Sequence, residues 1–341
     1  MYTVVATLRR LTSQPPTGRG SYGTIRSKSI LASAFAGQRV RSVSFLQQSH
    51  RGLVPALVTA ILAIACAAIF LREAAPTPPL VIAGLRLVLA GFLLWGIARA
   101  RPGSGVAPGR ESLLAGVLYA VHFGTWIASL WLTTLAASTT LVTASPVFLA
   151  IHGLWTGRDR PSPGLLGCLA LATGGVALIA VGTDASATAP NPALGNALAV
   201  VGAIAMAGYL LLTRRLGERL DVTRFGMRAT LSGGAILLGG AGLLGQLPVP
   251  ASLSSLGWIA LAAAVPQVLG HSLLTWAMKV TTPTVVGLAT LGEPVVTTAL
   301  GFWLYAERPG PWVLAGCALT LVAVVATLRV SRGTAAAPEP V

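Results

Sequence analysis

The sequence predicts an all-α polytopic membrane protein, with ten transmembrane helices arranged as two inverted five-helix repeats. Three observations carry that prediction. Of 341 residues, 54% are hydrophobic and only 10% are charged, with a mean hydropathy of +0.76, whereas soluble domains carry about 25% charged residues. From Leu53 onward the chain divides into ten apolar runs of about 19–23 residues, the length that crosses a hydrocarbon core of roughly 30 Å. The last five runs also repeat distinctive features of the first five.

Residues 1–52 stand apart. They hold eight basic residues, no acid and many serines. Three readings stay open: an organellar targeting segment, a disordered cytoplasmic tail, or an upstream extension from a start codon chosen too early. The runs that follow are Leu53–Leu71, Leu80–Ala98, Leu113–Leu132, Leu135–Trp155 and Gly164–Gly182, then Leu194–Thr213, Phe225–Gly245, Leu256–Met278, Val285–Tyr305 and Pro311–Val330. Short loops rich in Pro and Gly join them, as antiparallel neighbours in a bundle require. The predicted organisation is a first repeat over 53–183, a linker over 184–193, a second repeat over 194–330 and a C-terminal tail over 331–341.

The net charge of +15 does not point to nucleic acid, because the basic residues fall in short clusters between apolar runs. With the N-terminus inside, the inner segments carry 20 of the 24 Lys and Arg residues, and the outer loops carry only Arg72 and Arg308. The positive-inside rule then puts both termini in the cytoplasm of a cell (inner) membrane protein. Cys66, Cys168 and Cys317 all lie inside apolar runs, so neither a disulfide framework nor a metal site is expected.

The repeat is specific. Ser145-Pro146 stands where Glu293-Pro294 stands, and Asp159-Arg160-Pro161 where Glu307-Arg308-Pro309 stands, all at an offset of 148 residues. AGLRLVLAG at Ala83–Gly91 parallels FGMRATLSG at Phe225–Gly233, matching Arg86 with Arg228. RPSPGLLGC at Arg160–Cys168 parallels RPGPWVLAGC at Arg308–Cys317. Five spans per half is an odd number, so the second copy sits upside down. Such inverted repeats are a transporter architecture with its site near the midplane.

At these residues the chain resembles the drug/metabolite transporter superfamily, in its EamA-like family, over residues 53–330. LGEPVVTTALGFWLYAERP at Leu291–Pro309 is the most specific part, supported by GHSLLTWAMKV at Gly270–Val280, PPLVIAGLRLVLAG at Pro78–Gly91 and AMAGYLLLTRRL at Ala205–Leu216. The resemblance implies a ten-helix bundle that moves small organic solutes by alternating access, with members that export amino acids, metabolites and toxic compounds. The chain departs from the family where ILAIACAAIF at Ile61–Phe70 lacks a Trp-Gly pair, where Ser145 faces Glu293 across the repeat, and where Asp159 stands for the usual Glu.

Acids are costly in hydrocarbon, roughly 2.5–3.5 kcal/mol on insertion scales, so Glu293 marks a candidate functional site. From span direction and a rise of about 1.5 Å per residue, Glu293 lies roughly 12 Å deep, His271 roughly 10 Å and His122 roughly 14 Å, with Tyr209 shallower. A buried carboxylate and a nearby imidazole can exchange a proton, or can hold a polar group of the solute. The competing reading makes Glu293 a cap on backbone freed by Pro294, and His271 and His122 interhelical hydrogen-bonding residues. The candidate substrate and coupling cavity comprises Glu293, Pro294, His271, His122, Tyr209, Trp126, Trp276, Ser145 and Pro146. Trp131 and Trp303 share with Trp126 and Trp276 the choice between cavity lining and interfacial anchoring. Pro146 and Pro294 are expected to kink their spans, and Arg86 and Arg228 are the gating candidates, against snorkelling to the nearer interface. Asp159 and Glu307 read as caps at span ends.

The expected activity is secondary active transport of a small organic metabolite, amino acid- or drug-like, in the direction of export and with protons as a candidate coupling ion. An intramembrane enzyme is the alternative, although no HExxH, GxSxG or Walker motif is present. Membrane lipids and a small-molecule substrate are the expected partners, with no cofactor, no metal, no nucleic acid, and homodimerisation open.

Overall fold

The computed structural model describes residues 52–334 apart from 102, 104, 134, 183–189, 306 and 307. The expectations for residues 1–51, for most of the linker and for Glu307 lie outside them. Among the described residues the chain forms ten long helices: α1 Gly52–Glu73, α2 Pro79–Ala100, α3 Gly109–Ser129, α4 Ala137–Thr156, α5 Pro163–Val181, α6 Pro192–Leu216, α7 Val222–Leu243, α8 Leu253–Ala277, α9 Pro283–Leu304 and α10 Pro311–Val330. All but α7 are long and apolar enough to cross a membrane by length and composition. Arg228 and a run of glycines dilute the hydropathy of α7, although it has 22 residues. The protein is a multi-pass all-α membrane protein.

Local chemistry sets where these helices begin. Proline opens α2, α6 and α9, where its missing N–H is one of the donors left unpaired in any first turn. Asn191 and Ser252 cap α6 and α8 by accepting from the backbone N–H of Leu194 and Ser255, and Asp221 does the same for α7 from Arg224. In several helices small residues crowd the inner face. In α2, Ala83, Gly84, Ala90 and Gly91 are buried while Phe92, Leu93 and Trp95 are exposed. Lipid is as apolar as leucine, so close packing of small residues selects the inner face.

The principal pairings are α2 with α7 and α8, α3 with α6 and α7, α1 with α8, α4 with α6 and α9, and α5 with α10. Exchanging helix n for helix n+5 preserves most of this pattern: α3–α6 becomes α8–α1, α3–α7 becomes α8–α2, and α2–α7, α4–α9 and α5–α10 return to themselves. Glycines make the tightest crossings. A Cβ on Gly316 of α10 would lie 2.5 Å from the carbonyl oxygen of Gly175 on α5, and one on Gly175 would lie 2.8 Å from that of Gly316.

One end of the bundle is knitted by loop contacts. Val106 and Asp221 exchange backbone hydrogen bonds with the opposite loop, Lys279 donates to the Leu220 carbonyl, and Arg228 donates to the Ala107 carbonyl. Arg214 pairs with Asp159 at 3.1 Å and also reaches the Met278 carbonyl.

Candidate functional site

The site is built on two interrupted helices. In α9 the first segment ends at Thr290, Leu291 and Gly292 form a turn, and a second segment begins at Glu293. Pro294 has no N–H to give the Thr290 carbonyl its usual i+4 bond, so the chain closes instead on i+3 bonds, from Leu291 N to Leu288 O and from Gly292 N to Ala289 O. In α4 the first segment ends at Val142, Thr143 and Ala144 turn, and Ser145-Pro146 opens the second. The expected proline kinks are thus full breaks, at matching positions. The two helices meet there: a Cβ on Gly287 of α9 would lie 3.0 Å from the Pro146 Cβ. Glu293 sits in the first turn of its segment, where unpaired N–H groups favour negative charge.

Helix α8 contributes the next two groups. From Ala263 to His271 it is wound as a π-helix around an internal Pro266, a widened form that single helices adopt mostly at functional positions. Gln267 and His271 lie four residues apart in it, and both are buried. Gln267 Oε1 accepts from Arg86 Nη2 at 2.9 Å. Arg86 has no exposed surface, and its guanidinium lies 4.3 Å from the centre of the Phe123 ring, a cation–π arrangement. Among the described residues its Nε and Nη1 have no partner, and neither has Trp126 Nε1.

These groups enclose one cavity of about 50 Å³. Its lining includes Arg86 from α2, His122, Phe123 and Trp126 from α3, Thr143 and Ser145 from α4, His271 from α8, and Thr290 and Glu293 from α9. On this measure a water needs about 10–15 Å³, so the space admits a few waters or one small polar group. A whole metabolite requires the bundle to open.

The expected residues therefore divide. Glu293, His271, His122, Trp126, Ser145 and Arg86 come together. His122 also ties α3 to α6, its Nδ1–H donating to the Gly202 carbonyl at 2.8 Å, which fits the interhelical role. Pro294 and Pro146 are buried at the breaks and shape the cavity without lining it. Tyr209 lies outside the lining: its ring stacks on Tyr119 at 4.1 Å, and its hydroxyl lies 2.8 Å from Thr275 Oγ1. Thr275 gives its own hydrogen to the His271 carbonyl, so Tyr209 is the donor. It supports α8 next to His271. Trp276 also lies outside the lining, and Trp131 and Trp303 are exposed. Of the four tryptophans only Trp126 lines the cavity, and Trp276 is half-buried against the neighbouring core.

Arg86 and Arg228 do not approach each other. Arg228 is exposed and held to the loop carbonyl of Ala107, in a cleft lined by Trp95, Arg99, Arg101 and Arg224. Asp159, expected as a cap, instead makes the ion pair with Arg214. Sequence reasoning missed Gln267, Phe123, Thr143 and Thr290. Gln267 carried a usable signal, an amide beside an internal proline in an apolar run; Phe123 and Thr290 carried none. No group of three or more His, Cys, Asp or Glu side chains that could hold a metal ion occurs among the described residues.

Compared with known proteins, residues 193–329 match the family model of the EamA-like transporter family. No curated protein matches the chain. Among solved structures 29 chains match. One, described as "Crystal structure of protein", superposes with a TM-score of 0.71 at 17% identity, covering 83% of this chain and 99% of that one. At that identity the likeness shows a common fold.

Proposed function

We propose that this chain, whose residues 193–329 match the model of the EamA-like transporter family, is a secondary active transporter of a small organic metabolite. It works by alternating access in the cytoplasmic membrane, with both termini inside. Export is the direction that the family resemblance implies. The bundle consists of two inverted five-helix repeats, 53–183 and 194–330, a reading supported by the n to n+5 pattern of helix pairing. The observation that carries the proposal is the cavity where the breaks of α4 and α9 meet, lined from both halves and holding the one acid, Glu293, that faces it.

Interrupted helices facing a central site are the means by which transporters expose polar backbone and side chains to a solute while the rest of the bundle rocks around it. Glu293 carries the coupling proton. His271, which lines the same cavity and packs edge-on against Phe123 at 5.3 Å, is the partner this reading gives it. Arg86 is a cavity residue in this reading. The closed loop cluster with Arg214 and Asp159 belongs to the cytoplasmic gate.

The test is solute counterflow in proteoliposomes with internal pH followed by dye. Wild-type protein is expected to exchange solute and to move protons with it. Glu293→Gln is expected to retain exchange and lose proton movement. Wild-type rate and unchanged pH dependence in Glu293→Gln would exclude the coupling role, and product formation without any gradient would favour an enzyme.

A further inference from the structure

Among the described residues, three buried donor atoms of the cavity lining have no partner, Arg86 Nε, Arg86 Nη1 and Trp126 Nε1, and they bear on what it binds. We infer that the site anchors its solute by a single carboxylate, held by Arg86 and Trp126 with Gln267 as the positioning residue. The inference rests on the transport reading of the same cavity and names its substrate class.

Arg86 is fully buried and spends one of its N–H groups on Gln267 Oε1. Its Nε and Nη1 have no partner, and these carry three of the five guanidinium N–H donors. Trp126, 4% exposed, presents a further unpaired donor at Nε1. Leaving one buried donor unpaired costs about 1–3 kcal/mol, and more when it is charged. A cluster of such donors around one space is complementary to a group that only accepts. An ionised carboxylate is acceptor-only, with two oxygens that suit a guanidinium. An ammonium brings more donors and a like charge. A primary amide offers one acceptor oxygen and no charge to answer the guanidinium.

The charges set the valence. Arg86 is the one permanent cation in the lining and Glu293 the one acid; His122 and His271 are its other titratable groups, and α1, α4 and α6 present none. Arg86 and Glu293 make no ion pair among the described residues. A single guanidinium matches one negative charge and not a phosphate dianion. Glu293 shares the space, so a second carboxylate fits beside it when one of the two carries a proton. The phenyl ring of Phe123 and the indole of Trp126 line the space beside Arg86, and the 50 Å³ available takes the carboxylate while the body of the solute waits on opening.

The test is equilibrium binding to the full-length protein in nanodiscs with four matched probes: benzoate, benzamide, benzylamine and phenyl phosphate, and a series of straight-chain carboxylates as competitors. Benzoate is expected to bind about tenfold or more tightly than benzamide, and more tightly than the amine or the phosphate ester. Its affinity is expected to rise as pH falls in wild type and to lose that dependence in Glu293→Gln. Arg86→Gln is expected to weaken benzoate about tenfold or more, and Trp126→Phe about threefold, since the latter keeps a ring and loses the donor. If Arg86→Gln fails to fold, the ranking of probes on wild-type protein decides alone. Equal affinity for benzoate and benzamide, preference for benzylamine or phenyl phosphate, or no competition by any carboxylate would overturn the inference, and would mean that waters satisfy these donors. Counterflow separates this failure from that of the transport reading. Carboxylate binding with no exchange of any solute defeats transport and leaves the anion site. Exchange of neutral or cationic solutes that carboxylates do not inhibit defeats the anion site and leaves transport.

Discussion

Helices α4 and α9 are interrupted in the same way, two residues before a proline that opens the second segment, and they meet at those breaks. Ser145 stands at one break and Glu293 at the other. The arginines repeat the contrast. Arg86 on α2 and Arg228 on α7 occupy matching sequence contexts, yet the first is buried against Phe123 and Gln267 while the second lies at a water-exposed loop. Backbone form is shared between the halves and charge is not. The repeat supplies a hinge twice, and each half then contributes one charged group to the common cavity, the acid from the second and the cation from the first.

The sharpest way to break this comparison is at the two hinges. Glu293→Gln is expected to abolish proton movement in proteoliposomes, while Ser145→Ala slows exchange by at most about threefold and keeps its pH dependence, as loss of one neutral hydroxyl should. Equal effects of the two substitutions would mean that the breaks matter and the charge does not.

The arginine pair gives the next largest difference. Replacing both partners of a buried hydrogen bond by apolar groups of similar shape can be nearly neutral or stabilising. The double substitution Arg86→Met with Gln267→Leu is therefore expected to melt near or above the wild-type temperature and to lose solute binding about tenfold or more. Arg228→Gln should change binding by less than about twofold, because the side chain reaches water. Thermal melting and probe binding on the same samples read both.

A packing control should be symmetric. Gly175→Val and Gly316→Val each drive a side chain into backbone of the facing helix, and each is expected to cost about 1–3 kcal/mol, lowering the melting temperature to a similar extent. Unequal losses would show that the α5–α10 crossing is also specialised. The smallest effect belongs to Arg214→Gln. Arg214 and Asp159 are about one-third exposed, so their pairing adds no more than about 1 kcal/mol. Melting should barely move, while exchange rate changes if this contact closes the gate.

Much of the fold was legible because the membrane imposes length. A helix that crosses hydrocarbon needs about 20 apolar residues whatever it packs against, so all ten runs could be read directly, including α7, whose hydropathy Arg228 and its glycines weaken. The breaks were legible too, because Pro146 and Pro294 remove a backbone donor in any context. Glu293, His271 and His122 were found through the cost of burying polar groups. The same rule applied to Gln267 would have found it. Tyr209 and Trp276 were misplaced because depth along a helix says how far a residue lies from water and nothing of which way it faces.

What the sequence determined by itself is whatever depends on one helix at a time: the series of long apolar helices, the positions of the breaks in two of them, the charge asymmetry between Ser145 and Glu293, and the sequence likeness between the two halves. Only the tertiary structure decided which of these polar groups share a space. Arg86 and Gln267 are 181 residues apart and on different halves, and nothing local pairs them. Their meeting depends on how α2 and α8 rotate about their own axes as small residues pack. That rotation is set by many weak interhelical contacts together, because lipid gives no hydrophobic force to fix it beforehand.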